Sequence, residues 1–208
     1  MKTTNPPLPS GYSPLPPGQI ANVVTCLEMR ARPDLKPVAP LEALSLRQFD
    51  KTELDAYRSL FRAVGEDWLW LSRLAISDPD LEAVFTDPDI ESCAVVTALG
   101  EPVGLLELDF RVEGECELVF FGLVPGAIGK GAGRWLMNQA ITRAFQRPIE
   151  RFWLHTCSFD HPSALGFYQS SGFRPYATLV EVAADPRLTG EMRRDAARHV
   201  PLIEPAAS

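Results

Sequence analysis

The spacing of hydrophobic and polar positions changes along the chain, and the change predicts helices before strands. Residues 20–30 contain β-branched residues in partial alternation, and residues 44–49 form a second short strand pattern. Between residues 51 and 64 the apolar positions recur every three or four residues, which predicts a helix with one buried face. Ser77 before Asp-Pro predicts another helix, which continues to Phe85.

The second half of the chain predicts a sheet that is completed by alternating helices and strands. Short polar turns join three consecutive strand patterns, which predicts an antiparallel meander. After a glycine-rich loop come a helix, a strand, a helix and a strand. This order predicts an α/β (α+β) fold in which helices flank a mixed, mostly antiparallel sheet. The predicted elements are strands 93–99, 102–112 and 115–124, a helix to about 145, strand 151–157, helix 162–171 and strand 173–182.

Composition adds a division of the chain into three parts. Its 208 residues are 46% hydrophobic and 23% charged, which suits one folded domain with appendages. We assign residues 1–19 to a proline-rich arm, 20–184 to a domain with an extra N-terminal strand, and 185–208 to a C-terminal extension. The basic residues of the extension favour a solvated helix face over a carboxylate-binding site. These residues are Arg187, Arg193, Arg194, Arg198 and His199.

Charge and cysteine usage exclude several functions. A formal net charge of -7 argues against nucleic acid as a main partner, because phosphate binding requires a basic face. The first residues lack the apolar segment of a secretory signal, and the longest apolar run, 118–124, is too short for a bilayer span. We therefore expect a cytoplasmic protein without a membrane partner. The four cysteines lack metal-ligand spacing, so we expect buried free thiols and no bound metal.

A glycine loop, Ile128-Gly129-Lys130-Gly131-Ala132-Gly133-Arg134, separates a predicted strand from a predicted helix. Its three glycines allow backbone N–H groups and the helix N-terminus to approach an anion, and Lys130 and Arg134 add positive charge. A P-loop is excluded because Gly131 follows Lys130 where Ser or Thr is required. A dinucleotide fingerprint is excluded because Arg134 occupies the position of its third glycine. A turn that only packs the helix on the sheet remains the alternative.

Two motifs in order resemble those of the GNAT superfamily of N-acetyltransferases. The family has Q/R-x-x-G-x-G/A after a V-x-P-like turn, similar to residues 123–133 here. Its next motif, N-x-x-A-x-x-x-Y-x-x-x-G-F, is similar to residues 161–173. Ile128 stands in place of the first Gln or Arg. His161 stands in place of Asn, where we expect it to be the N-cap of a helix that begins at Pro162.

The resemblance is specific over residues 117–173, and it implies a fold, an activity and a co-substrate. The fold has a V-shaped split between the fourth and fifth core strands, 115–124 and 151–157, which holds the pantetheine arm. The activity is direct transfer of an acetyl group from acetyl-CoA to a primary amine. The resemblance also implies that backbone near Leu123 polarises the thioester carbonyl. The implied acetyl-CoA contacts are Leu123, Val124, Pro125, Ile128, Gly129, Lys130, Gly131, Ala132, Gly133, Arg134, His161, Ala164 and Phe167.

The resemblance also suggests two catalytic residues. Strand alternation predicts that Glu117 shares a face with Leu123, and its position matches a glutamate that the histone-acetyltransferase-like branch uses as base. A solvated strand-edge carboxylate is the alternative, and Glu107 or Asp109, acting through water, could replace it as base. Tyr168 matches the family's general acid, with a core aromatic residue as the alternative.

Two further residues are weaker candidates for the chemistry. A strand histidine such as His155 is more often structural than catalytic. A ping-pong route through Cys157 is disfavoured, because nothing in the sequence brings an imidazole to the thiol.

The acceptor is the least determined part of the sequence-based prediction. Trp68, Trp70 and Phe61 are candidate acceptor contacts, although each could equally belong to the core. A small-molecule amine is the first hypothesis, and a protein lysine or N-terminal amine is the second. A non-catalytic acyl-CoA-binding regulatory module is the third. Dimers are frequent in the family, so a homodimer is one further expectation.

Overall fold

A computed structural model describes residues 3–38, 41 and 43–205 of the chain. Within these residues the predicted order of elements is confirmed, with ends that move by a few positions. The strands are β1 Gln19–Met29, β2 Leu44–Gln48, β3 Ile90–Thr97, β4 Pro102–Asp109, β5 Glu115–Leu123, β6 Arg151–Cys157 and β7 Arg174–Ala184. The α-helices are α1 Leu54–Gly65, α2 Ser72–Ala75, α3 Asp78–Thr86, α4 Ala132–Ala144 and α5 Ala164–Ser170, with 3-10 turns at Glu66–Trp68 and Pro125–Ala127.

The seven strands form one sheet in the order β2-β3-β4-β5-β6-β1-β7. Strands β3 to β5 are the antiparallel meander that the short turns predicted, and β2 adds an antiparallel strand beside β3. Strand β6 runs parallel to β5, while β1 pairs antiparallel with both β6 and β7. Val24 at the centre of β1 opposes Cys157 on β6 and Leu179 on β7. The extra N-terminal strand is therefore an interior strand of the sheet.

The predicted V-shaped split lies between β5 and β6. These strands pair only from Glu115 opposite Arg151 to Glu117 opposite Trp153, and beyond that point they diverge. Because β6 is paired with β1 along most of its length, the divergence opens a gap inside the sheet rather than at its edge.

Helices cover both faces of the sheet and create two separate cores. On one face α4 buries Leu136, Met137 and Ile141 against the strands. On the other face α1 and α3 bury an aromatic cluster that contains Tyr57 and Phe61. The three- and four-residue spacing of the apolar positions in α1 produces this buried face. Full burial of one such side chain stabilises the fold by about 1.5–3 kcal/mol.

A β-bulge in β5 overturns one prediction about its two faces. Glu107 on β4 opposes Phe120, but the next β4 residue opposes Leu118, so Val119 is an extra residue in β5. The extra residue reverses the alternation beyond it. Leu118 and Leu123 consequently both belong to the core under α4. The prediction that Glu117 and Leu123 share a face is wrong, because simple alternation takes no account of the bulge.

Two predictions about the start of helix α5 are also wrong. Helix α5 begins at Ala164 with Ser163 as its N-cap residue, so Pro162 is not the first helical residue and His161 is not the N-cap. The imidazole Nδ1 of His161 instead accepts a hydrogen bond from the Ser163 N–H, at 3.1 Å.

The C-terminal extension is not the solvated helix that its basic residues favoured. Residues 185–205 form turns, and the side chain of Arg187 is almost completely buried in them. Among the described residues, none of the helices has the length and hydrophobicity needed to cross a membrane.

Candidate active site

A cleft of about 860 Å³ opens where β5 and β6 separate. The two strands form its floor, and the segment between α1 and α2, the glycine loop and α5 form its walls. Most of the residues expected to bind acetyl-CoA or the acceptor line this cleft. They are Leu123, Ile128, Gly129, Gly131, Gly133, Arg134, His161, Ala164, Phe167 and Tyr168, together with Trp68 and Trp70.

Six predicted site residues do not line the cleft: Glu117, Val124, Pro125, Lys130, Ala132 and Phe61. Phe61 is fully buried in the aromatic cluster, where it packs against Trp70 and Phe120, so it supports the acceptor wall from behind. Ala132 is buried under the first turn of α4, and Lys130 is exposed on the glycine loop.

The glycine loop has the backbone that an anion site requires. Gly129 and Gly131 adopt φ values of +81° and +87°, a region that favours glycine, and Gly131 is the N-cap residue of α4. A Cβ on Gly129 would have no atom within 4 Å, and one on Gly133 would find only Leu123 Cδ1, at 3.9 Å. The loop therefore leaves open space beside the N–H groups at the positive end of the helix dipole. These residues fit a pyrophosphate.

Arg134 connects this loop to α5. Its guanidinium stacks over the Phe167 ring at 4.6 Å and donates hydrogen bonds to Ser171 Oγ at 2.7 Å and Ser170 Oγ at 3.2 Å. Burial lowers the pKa of Arg134, but a guanidinium remains charged in proteins. Arg134 thus places positive charge beside the loop while it holds the two acetyl-CoA motifs together.

The edge of β5 presents backbone groups to the gap. The N–H of Val124 donates to Val103 O on β4 at 3.0 Å, so this pair is hydrogen-bonded across the two strands. Because opposed pairs of antiparallel strands alternate between hydrogen-bonded and non-hydrogen-bonded, the neighbouring Leu123 N–H points away from β4 and toward the gap. This donor is suitably placed for a carbonyl oxygen in the cleft.

Tyr168 lies in the cleft wall on α5. Its ring packs edge-on against the rings of Phe121, Phe167 and Phe173. Burial, reinforced by the nearby Asp160 carboxylate, raises the pKa of Tyr168 above its usual range. The phenol therefore keeps its proton at neutral pH and is a proton donor.

Glu117 does not line the cleft itself, but it lies beside His155, a histidine that the sequence analysis did not count among the catalytic residues. The carboxylate Oε1 of Glu117 lies 3.6 Å from Nδ1 of His155, and it is His155 that lines the cleft. Glu117 is level with Trp153 on β6, so His155, two residues further along, is its diagonal neighbour on the same face of the sheet. The proximity of the two side chains is therefore visible only in the folded chain.

The two reserve carboxylates are engaged elsewhere. Glu107 is fully buried and accepts hydrogen bonds from Tyr57 Oη at 3.1 Å and Arg73 Nη2 at 2.6 Å. Asp109 forms an ion pair with Arg111. Neither Glu107 nor Asp109 lines the cleft.

Asp160 is a site residue that the sequence analysis missed. It accepts hydrogen bonds from Thr156 Oγ1 at 2.7 Å, the Cys157 N–H at 2.8 Å and Trp70 Nε1 at 3.3 Å. The carboxylate therefore closes the turn after β6 and holds Trp70 in the cleft. Burial, together with Asp160, raises the pKa of Cys157 to about 11, so this cysteine is a thiol rather than a nucleophilic thiolate.

Trp68 joins the acceptor wall to the C-terminal extension. Its ring lies between those of His161, at 5.4 Å, and His199, at 5.6 Å. His199 in turn contacts the carbonyl oxygen of Phe159 at 2.9 Å. The extension is consequently part of the structure around the cleft.

Comparison with known proteins agrees with this geometry. A family model described as "Acetyltransferase (GNAT) family" matches residues 54–173, more than half of the chain. A search of the curated proteins found no match.

Several solved structures share the fold. A GCN5-related N-acetyltransferase from Sphaerobacter thermophilus is 12% identical with a TM-score of 0.58, over 90% of this chain and 55% of that one. Spermidine N-acetyltransferase from Vibrio cholerae, solved with CoA and spermine, is 23% identical with a TM-score of 0.52, and the match covers 64% of this chain and 82% of that one. An aminoglycoside acetyltransferase from an uncultured soil metagenomic sample, solved with sisomicin, is 15% identical with a TM-score of 0.50. This match covers 62% of this chain and 87% of that one.

This chain thus spans little more than half of the Sphaerobacter protein. At such identities the structures establish a common fold and no more. The family match is of a different kind, because it runs from α1 through the glycine loop to the end of α5. It shows that the chain belongs to the GNAT acetyltransferase family.

Proposed function

We propose that the protein is an N-acetyltransferase that transfers an acetyl group from acetyl-CoA directly to a primary amine of a small molecule. The observation that carries the proposal is the cleft between β5 and β6, with an anion-binding loop at one end and Tyr168 in its wall. Two of the relatives named above act on spermidine and on aminoglycosides, which are small molecules that bear amines.

The glycine loop supports acetyl-CoA as the co-substrate. Gly129, Gly131 and the first turn of α4 would hold the pyrophosphate, and Arg134 would add positive charge beside it. Bound acetyl-CoA would supply the acetyl group as a thioester. The N–H of Leu123, which faces the gap, is a candidate partner for a carbonyl oxygen of this arm.

The Glu117–His155 pair is our candidate for the base. A primary alkylamine with a pKa near 10.4 is mostly protonated at neutral pH and must lose a proton before it attacks. His155 lines the cleft and can accept that proton, while Glu117 behind it, 3.6 Å from Nδ1, positions the ring. Glu117 is thereby a positioning residue rather than the direct base that the sequence suggested.

Tyr168 is our candidate for the acid. The acceptor nitrogen forms a bond to the acetyl carbon, and the carbon–sulfur bond breaks. His155 takes the proton that the ammonium loses before attack and releases it to solvent. It then takes the second proton, which the nitrogen loses as the amide forms. The Tyr168 phenol gives its proton to the departing thiolate and is reprotonated from solvent. The raised pKa of Tyr168 keeps the phenol protonated until the thiolate forms.

Thiol release from acetyl-CoA across a panel of small amines and peptides tests the proposal. Loss of the acid or the base is expected to lower kcat by about 100-fold or more, so Tyr168→Phe and His155→Gln should each have this effect. Glu117→Gln should lower kcat less, because His155 remains. Glu113→Gln, at an exposed position in the β4–β5 turn, is the matched control and should keep the full rate.

Three outcomes would contradict parts of the proposal. Binding of CoA without turnover on any acceptor would favour a non-catalytic module. Turnover on peptides alone would replace the small-molecule acceptor with a protein. A slow Glu117→Gln enzyme beside a fully active His155→Gln enzyme would make Glu117 the direct base.

A further inference from the structure

Asn22 and Glu181 line the same cleft on the side away from the glycine loop. Asn22 is on β1 and Glu181 opposes it on β7, so they lie two and three strand positions from β5. With neighbouring strands about 4.8 Å apart, these distances are about 10 and 14 Å across the sheet. The two residues are thus in the cleft but away from the point where β5 and β6 diverge.

Asn22 carries a buried hydrogen-bond acceptor that is not used. The residue is only 8% exposed, and its Nδ2 donates to Glu181 Oε2 at 3.0 Å. Its Oδ1 is buried and has no hydrogen-bond partner among the described residues. If the amide were flipped, Oδ1 would face the carboxylate of Glu181, and the two oxygens would repel each other. Glu181 therefore fixes the amide orientation in which Oδ1, rather than Nδ2, has no partner. Buried acceptors nearly always have a donor, so Asn22 Oδ1 is available to a donor that enters the cleft from outside the protein.

The charges around this end of the cleft indicate what kind of donor it is. Glu181 and Asp160 are acidic and line the cleft. The positive charge of Arg134 is at the other end, beside the glycine loop. A cationic donor would be attracted by the carboxylates and by the indole faces of the acceptor wall.

We propose that Asn22 and Glu181 form a subsite for a second cationic group of the acceptor, so that the acceptor is a diamine. One amine is acetylated beside His155, and the other, as an ammonium, donates to Asn22 Oδ1 and to the Glu181 carboxylate. His155 opposes Cys26 on β1, and Asn22 is four residues further along that strand, about 13 Å away. The two nitrogens are therefore separated by several bonds. The assignment of a diamine as the acceptor rests on the proposed acetyltransferase activity. The binding site for a cationic group does not depend on that activity.

Three acceptors with the same six-carbon chain test the subsite by turnover: α,ω-diaminohexane, ω-aminohexanol and hexylamine. In the native protein kcat/KM should be highest for the diamine. A charged hydrogen bond lost at this site corresponds to about a tenfold change, so Glu181→Gln should lower kcat/KM for the diamine about tenfold and leave hexylamine unchanged. Glu101→Gln, an exposed carboxylate in the β3–β4 turn outside the cleft, is the matched control and should change neither.

Asn22→Leu removes the unused acceptor with little change in volume. It should lower kcat/KM for the diamine and the amino alcohol, which both present a donor, but not for hexylamine. Thermal unfolding of the variant shows whether it is folded, and Glu181→Gln, at an exposed position, tests the subsite independently of that result. Equal kcat/KM for the diamine and hexylamine in the native protein, or a diamine preference that survives Glu181→Gln, would overturn the subsite while the acetyltransferase proposal stands.

A binding measurement separates the two proposals if the native protein acetylates none of the amines. Calorimetric titration of α,ω-diaminohexane does not depend on turnover. Binding that weakens about tenfold in Glu181→Gln, but not in Glu101→Gln, supports the subsite even where the proposed activity has failed. No binding, or equal binding in both variants, overturns the subsite.

Discussion

Replacement of Arg187 with alanine is expected to detach the C-terminal extension from the domain. The guanidinium donates to both carboxylate oxygens of Asp185, at 2.9 and 2.7 Å. It also donates to the carbonyl oxygens of Ala196, Ala197, Val200 and Pro201. The two charged side chains are 2% and 1% exposed. One side chain therefore organises the whole segment from 185 to 201.

The size of the effect follows from this burial. Removal of one partner from a buried ion pair costs about 3–5 kcal/mol, because the other charge is left without compensation. Four carbonyl oxygens lose a donor as well, so we expect Arg187→Ala to lower the free energy of unfolding by about 3–5 kcal/mol. Arg187→Lys keeps the charge but lacks the forked geometry, and an intermediate loss is expected.

Urea unfolding and limited proteolysis with trypsin measure the effect. Opening of the extension should let trypsin cut after the exposed Arg193, Arg194 and Arg198 before the domain is cut, because local unfolding frees their backbone for the protease. Arg198→Ala is the control: the side chain is 83% exposed and its ion pair with Asp195 is on the surface, so the cost should be below about 0.5 kcal/mol. An Arg187→Ala protein within 1 kcal/mol of the native stability, with an unchanged cleavage pattern, would refute the reasoning.

The ion pair between Arg187 and Asp185 also determines how the stability difference between the native and Arg187→Ala proteins depends on pH. Burial alone would raise the pKa of Asp185, but hydrogen bonds and charge from Arg187 outweigh it and hold the pKa below its usual range. A lowered folded pKa stabilises the protein above the unfolded value of about 3.9, and this contribution is lost as the pH falls through the folded pKa. The stability gap between native and Arg187→Ala proteins should therefore narrow below about pH 4.

Three further predictions concern the glycines and a cysteine. Gly131→Ala places a side chain at φ +87° and should cost about 1–2 kcal/mol while weakening CoA binding in calorimetry; unchanged CoA affinity would contradict the assigned loop. Gly122→Ala puts a Cβ 2.3 Å from Val64 Cγ1 and 3.1 Å from Trp70, so overpacking should cost about 1–3 kcal/mol, seen as a lower Tm and altered tryptophan fluorescence. Cys157, with a pKa raised to about 11, should react with iodoacetamide at about pH 8 far more slowly in the folded than in the unfolded protein, as followed by mass spectrometry. Equal rates in the two states would exclude this raised pKa.

Local patterns predicted the order of elements, the glycine loop and the position of Tyr168 in the cleft. Those features depend on residues within one turn or one helix, so the information is contiguous in the chain. The bulge at Val119 depends instead on how β4 and β5 pair, and no residue type near it indicates a change of register. Its consequence is that Glu117 faces away from the side of the sheet on which Leu123 lies.

Contacts between distant segments account for the other misses. The hydrogen bond from Asn22 to Glu181 joins residues 159 positions apart. The pairing of Glu117 with His155 depends on the register in which β5 and β6 pair. The arginines of the extension look like a solvated surface as a pattern, yet Arg187 is buried because several carbonyl oxygens converge on it. These geometries exist only once the strands are assembled.

The interior position of β1 bears on how the chain folds. Strand β1 precedes the other six strands in the sequence, but its partners β6 and β7 lie more than a hundred residues later, with Val24 opposite Cys157 and Leu179. Closing such long loops is slow, and until then both edges of β1 are unpaired and prone to associate with other chains. We therefore expect assembly of β6, β1 and β7 to follow formation of the β3–β5 meander. Deletion of residues 19–29 would separate β6 from β7 even though every residue of the family match was retained.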